Sequence, residues 1–153
     1  MHNMKWNRLV AGLLVVCGLT CFAGAAAAYA APEPSVSLRP VQVFDVKAEK
    51  VVRTIDNDEQ FQAYVKEWVR SVTGFAPQLR PDENCSYVYR IPLAEPVTVS
   101  FNRVAIRSED VFLFYCDGTP PLLLVFDDRR RPYLLLFKAD ITPFIRKVGL
   151  PAL

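Results

Sequence analysis

Histidine is nearly missing from this chain, since the 153 residues include only His2. The rest of the sequence therefore lacks the usual proton acceptor for serine or cysteine nucleophiles and the most frequent nitrogen ligand of zinc. Neither an S-x-x-K nor a G-x-S-x-G motif occurs after residue 30, and no glycine-rich phosphate-binding loop is present. We therefore predict no catalytic residue, no metal and no cofactor.

Charge is absent from positions 9–30, an apolar run that follows Lys5 and Arg8. The run ends in the small-residue motif AYA at positions 28–30, which is typical of a cleavage site. Together these features predict a signal peptide over residues 1–30, and hence a secreted or extracytoplasmic protein. With about 20 apolar residues, the run is also long enough for the alternative of an uncleaved N-terminal membrane anchor.

An excess of positive charge is also lacking once residues 1–30 are removed, because the remaining acidic and basic residues are equal in number. Such a balance does not predict nucleic-acid binding, which needs a basic surface. About 120 residues remain, the size of one domain. Residues 31–40 are rich in proline and are predicted as a tether, which leaves 41–153 as a single domain.

Two of the four cysteines, Cys17 and Cys21, lie in the predicted signal peptide, and neither follows a residue typical of a lipidation site. The other two, Cys85 and Cys116, predict a disulfide, because an even number of cysteines in an exported domain is usually bonded. Two free, buried thiols are the alternative.

The first part of the domain predicts a strand hairpin followed by a helix. Two short β-like runs, 41–46 and 51–55, form the hairpin. Apolar residues then recur at the spacing of one helical stripe, which predicts a helix over 58–73 with Asn57 or Asp58 as its N-cap. The stripe consists of Phe61, Tyr64, Val65, Trp68, Val69 and Val72.

The rest of the domain is β-rich and ends in a short helix. The predicted strands are 87–91, 97–101, 111–115, 122–126 and 133–137, with an extended, unpaired link over 92–96, a turn over 127–132 and a helix over 141–148. The predicted fold class is α+β: one main amphipathic helix packed on a mostly antiparallel sheet of about six to seven strands, with a short C-terminal helix.

The cysteine pair tests the connection at Asn102 and Arg103, which is either a bulge or a tight turn. If the chain continues straight there, Cys85 and Cys116 lie at opposite ends of the sheet, roughly 17 Å apart. If the chain reverses there, the cysteines lie at the same end. A disulfide therefore predicts a tight turn, whereas its absence favours a bulge.

Three strands, 111–115, 122–126 and 133–137, are apolar at nearly every position, so both faces of that part of the sheet are predicted to be apolar. The main helix shields roughly two strands on one face. Four covers for the other face are open: the N-terminal hairpin, the C-terminal helix, a second copy of the chain, or a ligand.

Charged groups give weaker indications of a site. Arg129, Arg130 and Arg131 form a candidate anion-binding tip, although a solvated turn explains them equally well. Carboxylate-pair hydrolysis also stays open, because acids distant in sequence can meet in space. The acids in predicted loops are Asp82, Glu83, Glu95, Glu109 and Asp110.

Three segments, VVRTIDNDEQFQAYVKEWVRSVTGFAP, YRIPLAEPV and LLLVFDDRRRPYLLLFK, resemble a group of small exported proteins of Bacillus-type bacteria without assigned function. The resemblance covers most of residues 41–148. It implies a Gram-positive setting at the cell surface or in a spore former, and it implies no catalytic residues.

From these features we expect a non-catalytic extracytoplasmic binding or interaction module. Its partner is unknown; a protein, an envelope component or self-association through the sheet are the candidates. A small carboxylate-dependent secreted hydrolase and a structural cell-surface or coat component are the alternatives.

Overall fold

The fold is that of a computed structural model, which describes residues 37–77, 85–116 and 118–149. In chain order the elements are β1 (Val41–Asp45), β2 (Lys50–Ile55), α1 (Glu59–Arg70), β3 (Val72–Phe75), β4 (Cys85–Phe101), β5 (Val104–Cys116), β6 (Leu122–Phe126), β7 (Pro132–Phe137) and α2 (Thr142–Val148). The α+β class is therefore confirmed. The predicted signal peptide over 1–30 and most of the predicted tether lie outside the described residues.

The seven strands form one antiparallel sheet in the order β2-β1-β4-β5-β6-β7-β3. The predicted hairpins β1–β2 and β6–β7 are both present. The first of them forms one edge of the sheet, and β3 forms the other edge beside β7. All neighbouring pairs are antiparallel, and the seven strands together form a single layer.

Helix α1 begins at the predicted cap. One carboxylate oxygen of Asp58 accepts hydrogen bonds from the backbone N–H groups of Gln60 and Phe61, at 3.0 and 3.1 Å. The other oxygen accepts one from the ammonium group of Lys147 in α2 at 2.7 Å, which lowers the pKa of Asp58. The cap therefore also ties α1 to α2.

The predicted end of this helix at residue 73 is wrong, because α1 stops at Arg70 and residues 72–75 form β3. Ser71 explains the break. Its hydroxyl donates to the carbonyl of Trp68 at 2.8 Å and accepts from the backbone N–H groups of Lys138 and Ala139 beside β7. These bonds turn the chain toward β7, so that Val72 pairs in the sheet although its spacing matches the helical stripe.

Both helices pack on one face of the sheet around Phe144 of α2. The centroid of its ring lies 4.9 Å from that of Trp68 and 5.2 Å from that of Tyr89. Beneath the helices, one side chain from each of five adjacent strands is at most 1% exposed. These core-row residues are Val43, Tyr89, Leu113, Leu123 and Leu135. We call this side the core face.

Strands β4 and β5 form a long hairpin that reverses at Asn102 and Arg103. These two residues have φ angles of 42° and 65°, the geometry of a two-residue type I′ turn. At the other end of the hairpin a disulfide joins Cys85 to Cys116, which are paired across the strands. The predicted disulfide and the tight turn that it requires are both confirmed.

The hairpin is interrupted near its middle. Its register shifts between Pro92 and Val97, so that residues 93–96 have no paired residue in β5. Proline cannot donate a hydrogen bond to a neighbouring strand, which is why the ladder fails here. The unpaired link predicted over 92–96 is therefore confirmed for residues 93–96, whereas Pro92 pairs with Asp110 and the two predicted strands on either side are one continuous strand, β4.

Beyond this interruption the arm of the hairpin bends across the core face. The ring of Phe101 at its tip lies 4.8 Å, centroid to centroid, from that of Phe75 in β3. Three strands separate β4 from β3 in the sheet, a distance of about 19 Å between strand axes. The contact therefore requires the bend, which also buries Val99 completely.

The type I′ turn predicts a stabilising substitution. Arg103 has a left-handed backbone, which costs a non-glycine residue roughly 1 kcal/mol. We expect Arg103→Gly to raise the free energy of unfolding in urea by about 1 kcal/mol. Arg103→Ala is the matched control, because it removes the same side chain but keeps Cβ, and it should give no such gain. A stability loss in Arg103→Gly would contradict the turn geometry.

The disulfide predicts a larger effect. It closes a loop between residues 31 apart in sequence, which stabilises by roughly 3–4 kcal/mol on the chain-entropy model. We expect the double variant Cys85→Ser, Cys116→Ser to lose about 3 kcal/mol of unfolding free energy. Thiol labelling of the denatured, unreduced protein is the prior check, and two labelled cysteines at these positions would show that the bond is absent.

Candidate functional site

The sheet face opposite the helices carries a second set of apolar side chains. They alternate along the strands with the core row, and they are half-buried or exposed where the core row is at most 1% exposed. We call this surface the open face. Its apolar residues are Phe44, Val88, Phe112, Phe114, Leu122, Leu124, Phe126, Leu134 and Leu136.

Neither internal cover considered from the sequence lies on the open face. The β1–β2 hairpin extends the edge of the sheet. Helix α2 lies with α1 on the core face, where Phe144 contacts Tyr89, and the strand neighbours of Tyr89 point the other way. Of the four candidate covers, a second copy and a ligand therefore remain.

One end of the open face forms a groove of about 550 Å³. Within it the rings of Phe112 and Phe126 pack edge to face, with centroids 5.7 Å apart. Four arginines from separate parts of the chain border these rings: Arg39 before β1, Arg90 in β4, Arg107 in β5 and Arg130 in the β6–β7 turn. We call this site the arginine groove.

Asp110 holds two of these arginines together. Its carboxylate accepts hydrogen bonds from Nη2 of Arg39 at 3.3 and 3.4 Å, and from Nε and Nη2 of Arg90 at 3.3 Å each. Arg90 also lies over the ring of Phe112, 6.0 Å from its centroid. Ion pairs this exposed contribute at most about 1 kcal/mol to stability. Their main effect is to fix the two guanidinium groups beside the aromatic rings.

Ser108 joins the two strands that build the groove. Its hydroxyl donates to the backbone carbonyl of Asp110 at 2.8 Å and accepts from the backbone N–H of Phe126 at 3.3 Å. The residue is 3% exposed, so both bonds are shielded from water. They hold the irregular stretch of β5 in place and bring Asp110 and Phe126 to the same end of the sheet.

The three arginines of the candidate anion-binding tip are divided between two sites. Arg130 lines the arginine groove. Arg129 and Arg131 line a separate depression beside it. Arg131 is also paired with Asp127, with Nε 2.7 Å and Nη2 2.6 Å from the same carboxylate oxygen. Only Arg130 of the three therefore adds to the groove.

Asp127 organises the turn that carries these arginines. One of its oxygens accepts the backbone N–H groups of Arg129 and Arg131 at 2.9 Å each, and the other accepts the hydroxyl of Tyr133 at 3.1 Å. These hydrogen bonds, that of the Arg131 backbone foremost, lower the pKa of Asp127 to about 2. The turn predicted over 127–132 is present, and its leading aspartate stabilises it.

Two acids considered for a carboxylate-pair hydrolase, Glu109 and Asp110, line the arginine groove. Such hydrolysis needs one acid that keeps its proton near neutral pH. Asp110 instead accepts hydrogen bonds from two guanidinium groups, and no second carboxylate of the described residues is paired with it. Glu95 is exposed in the unpaired stretch of β4, and Asp82 and Glu83 lie outside the described residues. No observation favours the hydrolase.

Arg39, Arg90 and Arg107 carry no local sequence signal of a site. They are separated by 51 and 17 residues in sequence, and they meet because β4 pairs with β5 and the segment before β1 crosses their end. The one usable signal is alternation, because Arg90 follows Tyr89 and so points to the opposite face. Arg39 falls inside the predicted tether, yet its carbonyl accepts a hydrogen bond from Asn57 at 2.9 Å.

Among the described residues, neither helix has the length and apolar character needed to cross a bilayer. Comparison of the chain with protein-family models, with curated proteins and with solved structures gives no match. The resemblance to exported proteins of Bacillus-type bacteria therefore stays a prediction.

Asp127 predicts a pH dependence. Its folded pKa of about 2 is below its ordinary value of 3.8, so the ionised group stabilises the folded turn above pH 3.8. This contribution is lost as the pH falls through the folded pKa. We expect the side-chain carboxyl carbon of Asp127 to titrate in NMR spectra with a midpoint of about 2.

The neighbouring substitution Asp128→Asn is the control, because Asp128 makes none of the hydrogen bonds within the turn and should leave that midpoint unchanged. Asp127→Asn should flatten the stability profile between pH 3.8 and 2 relative to the wild type. A midpoint close to 3.8 for Asp127 would show that its hydrogen bonds do not form in solution.

Proposed function

We propose that this chain is a non-catalytic extracytoplasmic module that binds a protein, peptide or envelope component through the open face. The observation that carries the proposal is the position of both helices on the core face, which leaves the apolar residues of the open face to a partner. Contiguous apolar surfaces bordered by polar residues are typical of interaction sites.

The disulfide supports the extracytoplasmic setting, because such bonds persist in oxidising compartments. The predicted signal peptide over 1–30 supports it as well. The arginine groove supports binding rather than catalysis, since its three aspartates are engaged by arginines or by the backbone of a turn. Ligand sites commonly combine apolar walls with a few positioned polar groups, as this groove does.

The double variant Phe114→Thr, Leu124→Thr tests this proposal, because threonine keeps the strand propensity while removing apolar area. The protein, purified as its own host exports it, is used as immobilised bait on an envelope extract. We expect a partner that binds the wild type and binds the double variant at least about tenfold less, a change of about 1.4 kcal/mol.

Val52→Thr is the matched control, since Val52 is 40% exposed in edge strand β2, three strands away from Phe114 in β5. It should retain the partner, and circular dichroism should show that both variants are folded. If no captured species distinguishes the double variant from the wild type, the open face is not the binding surface.

A second function, a self-associating surface or coat component, is favoured by a different observation. Among the residues that the structure describes, six large apolar side chains are exposed, and four of them lie in the β1–β2 hairpin: Phe44, Val46, Val51 and Val52. Strand β2 pairs with β1 alone among the described strands. Sedimentation of the exported protein at increasing concentration tests this reading, and a strict monomer would argue against it.

A further inference from the structure

The arginine groove offers more hydrogen-bond donors than its own acceptors use. A guanidinium group has five N–H donors. Asp110 binds only Nη2 of Arg39, and only Nε and Nη2 of Arg90. Arg130 has no ion-pair partner among the described residues, although its backbone N–H is bonded within the turn. An added anion would therefore find donors that are already positioned.

These donors lie directly beside an apolar surface. The guanidinium of Arg90 is 6.0 Å from the ring centroid of Phe112, and the ring of Phe126 stands edge-on to that of Phe112. The apolar open face continues from these rings through Phe114 and Leu124 on the same two strands. A ligand that satisfies the site must therefore combine an anionic end with an apolar body.

The charge of the groove selects the kind of anion. Its lining contains four arginines and four carboxylates, so the site is close to neutral. A planar, singly charged carboxylate suits the guanidinium fork without a large excess of negative charge. A doubly charged phosphate is matched less well. The volume of about 550 Å³ is large enough to accommodate a small ligand.

We infer that the arginine groove binds a carboxylate attached to an aromatic or other bulky apolar group. The carboxylate lies between Arg39, Arg90 and Arg130, and the apolar group packs on Phe112 and Phe126. This inference rests on the proposed function, because it names the ligand class of one part of the open face.

The test uses N-acetylphenylalanine as the probe, with its uncharged amide and acetate as comparison compounds. Binding is followed by NMR titration of the exported protein. We expect N-acetylphenylalanine to shift the signals of Phe112 and Phe126, and to bind at least about tenfold more tightly than the amide or acetate, the difference expected for a charge-assisted pair. Equal affinity for the acid and its amide, or no shifts at all, would overturn the inference.

Two substitutions with opposite expected signs sharpen the test. Arg90→Gln removes a donor and should weaken the probe about tenfold. Glu109 lines the groove without an ion-pair partner among the described residues and repels an anion, so Glu109→Gln should tighten binding severalfold. A general disturbance of the fold would weaken binding in both variants. Arg146→Gln on α2 is the matched control and should leave the affinity unchanged.

Two sources of such a carboxylate are separated by a further comparison. A pentapeptide that ends in phenylalanine with a free carboxyl group binds more tightly than N-acetylphenylalanine if the ligand is a peptide C-terminus that extends over Phe114. Equal affinities indicate a small free acid. If the probes fail while Phe114→Thr, Leu124→Thr still loses the captured partner and Arg90→Gln retains it, the ligand class is wrong and the proposed function stands.

Discussion

The packing of Phe144 determines which side of the sheet this protein buries. Its ring contacts Trp68 of α1 at 4.9 Å and Tyr89 of β4 at 5.2 Å, so one short helix joins the long helix to the centre of the sheet. Edge-to-face aromatic pairs of this kind add about 0.5–1.5 kcal/mol beyond the burial of their area. The bond from Lys147 to Asp58 also fixes the last turn of this helix to the start of α1. Both helices therefore lie on the core face, and no helix of residues 37–77, 85–116 and 118–149 covers the open face.

The arginine groove on the open face forms where the pairing of β4 with β5 is interrupted. The register shifts between the pairs Pro92–Asp110 and Val97–Ser108, so the two residues whose hydrogen bonds hold the groove together flank the irregular stretch. Ser108 stabilises this irregular path through backbone bonds, and Asp110 aligns Arg39 with Arg90. At this interruption of strand pairing, a cluster of arginines therefore lies beside two aromatic rings.

Much of the fold follows from local signals, and most of the site does not. Period-two and period-3.6 apolar patterns predicted seven strand segments, which fall in six of the seven described strands, and both helices, and the cysteine pair predicted the turn at Asn102. Strand β3 was missed because Val72 continues the helical stripe by coincidence, and only the contacts of Ser71 with the chain after β7 end the helix. The arginine groove was missed for a similar reason. Strand pairing assembles it, and its first three arginines lie 51 and 17 residues apart in sequence, too far to form a local motif.

The disulfide closes residues 85–116 into a covalent ring with the turn at its far end, and this ring determines how the chain responds to tension. Tension applied to the ends of the chain passes from Cys85 to Cys116 through the sulfur atoms, so the intervening hairpin is not pulled apart. Fully extended, that hairpin would add roughly 100 Å of length, which stays hidden for as long as the bond is intact. Arg90, Phe112 and Asp110 all belong to this protected ring. Stretching would peel away the outer strands before it separated these three residues.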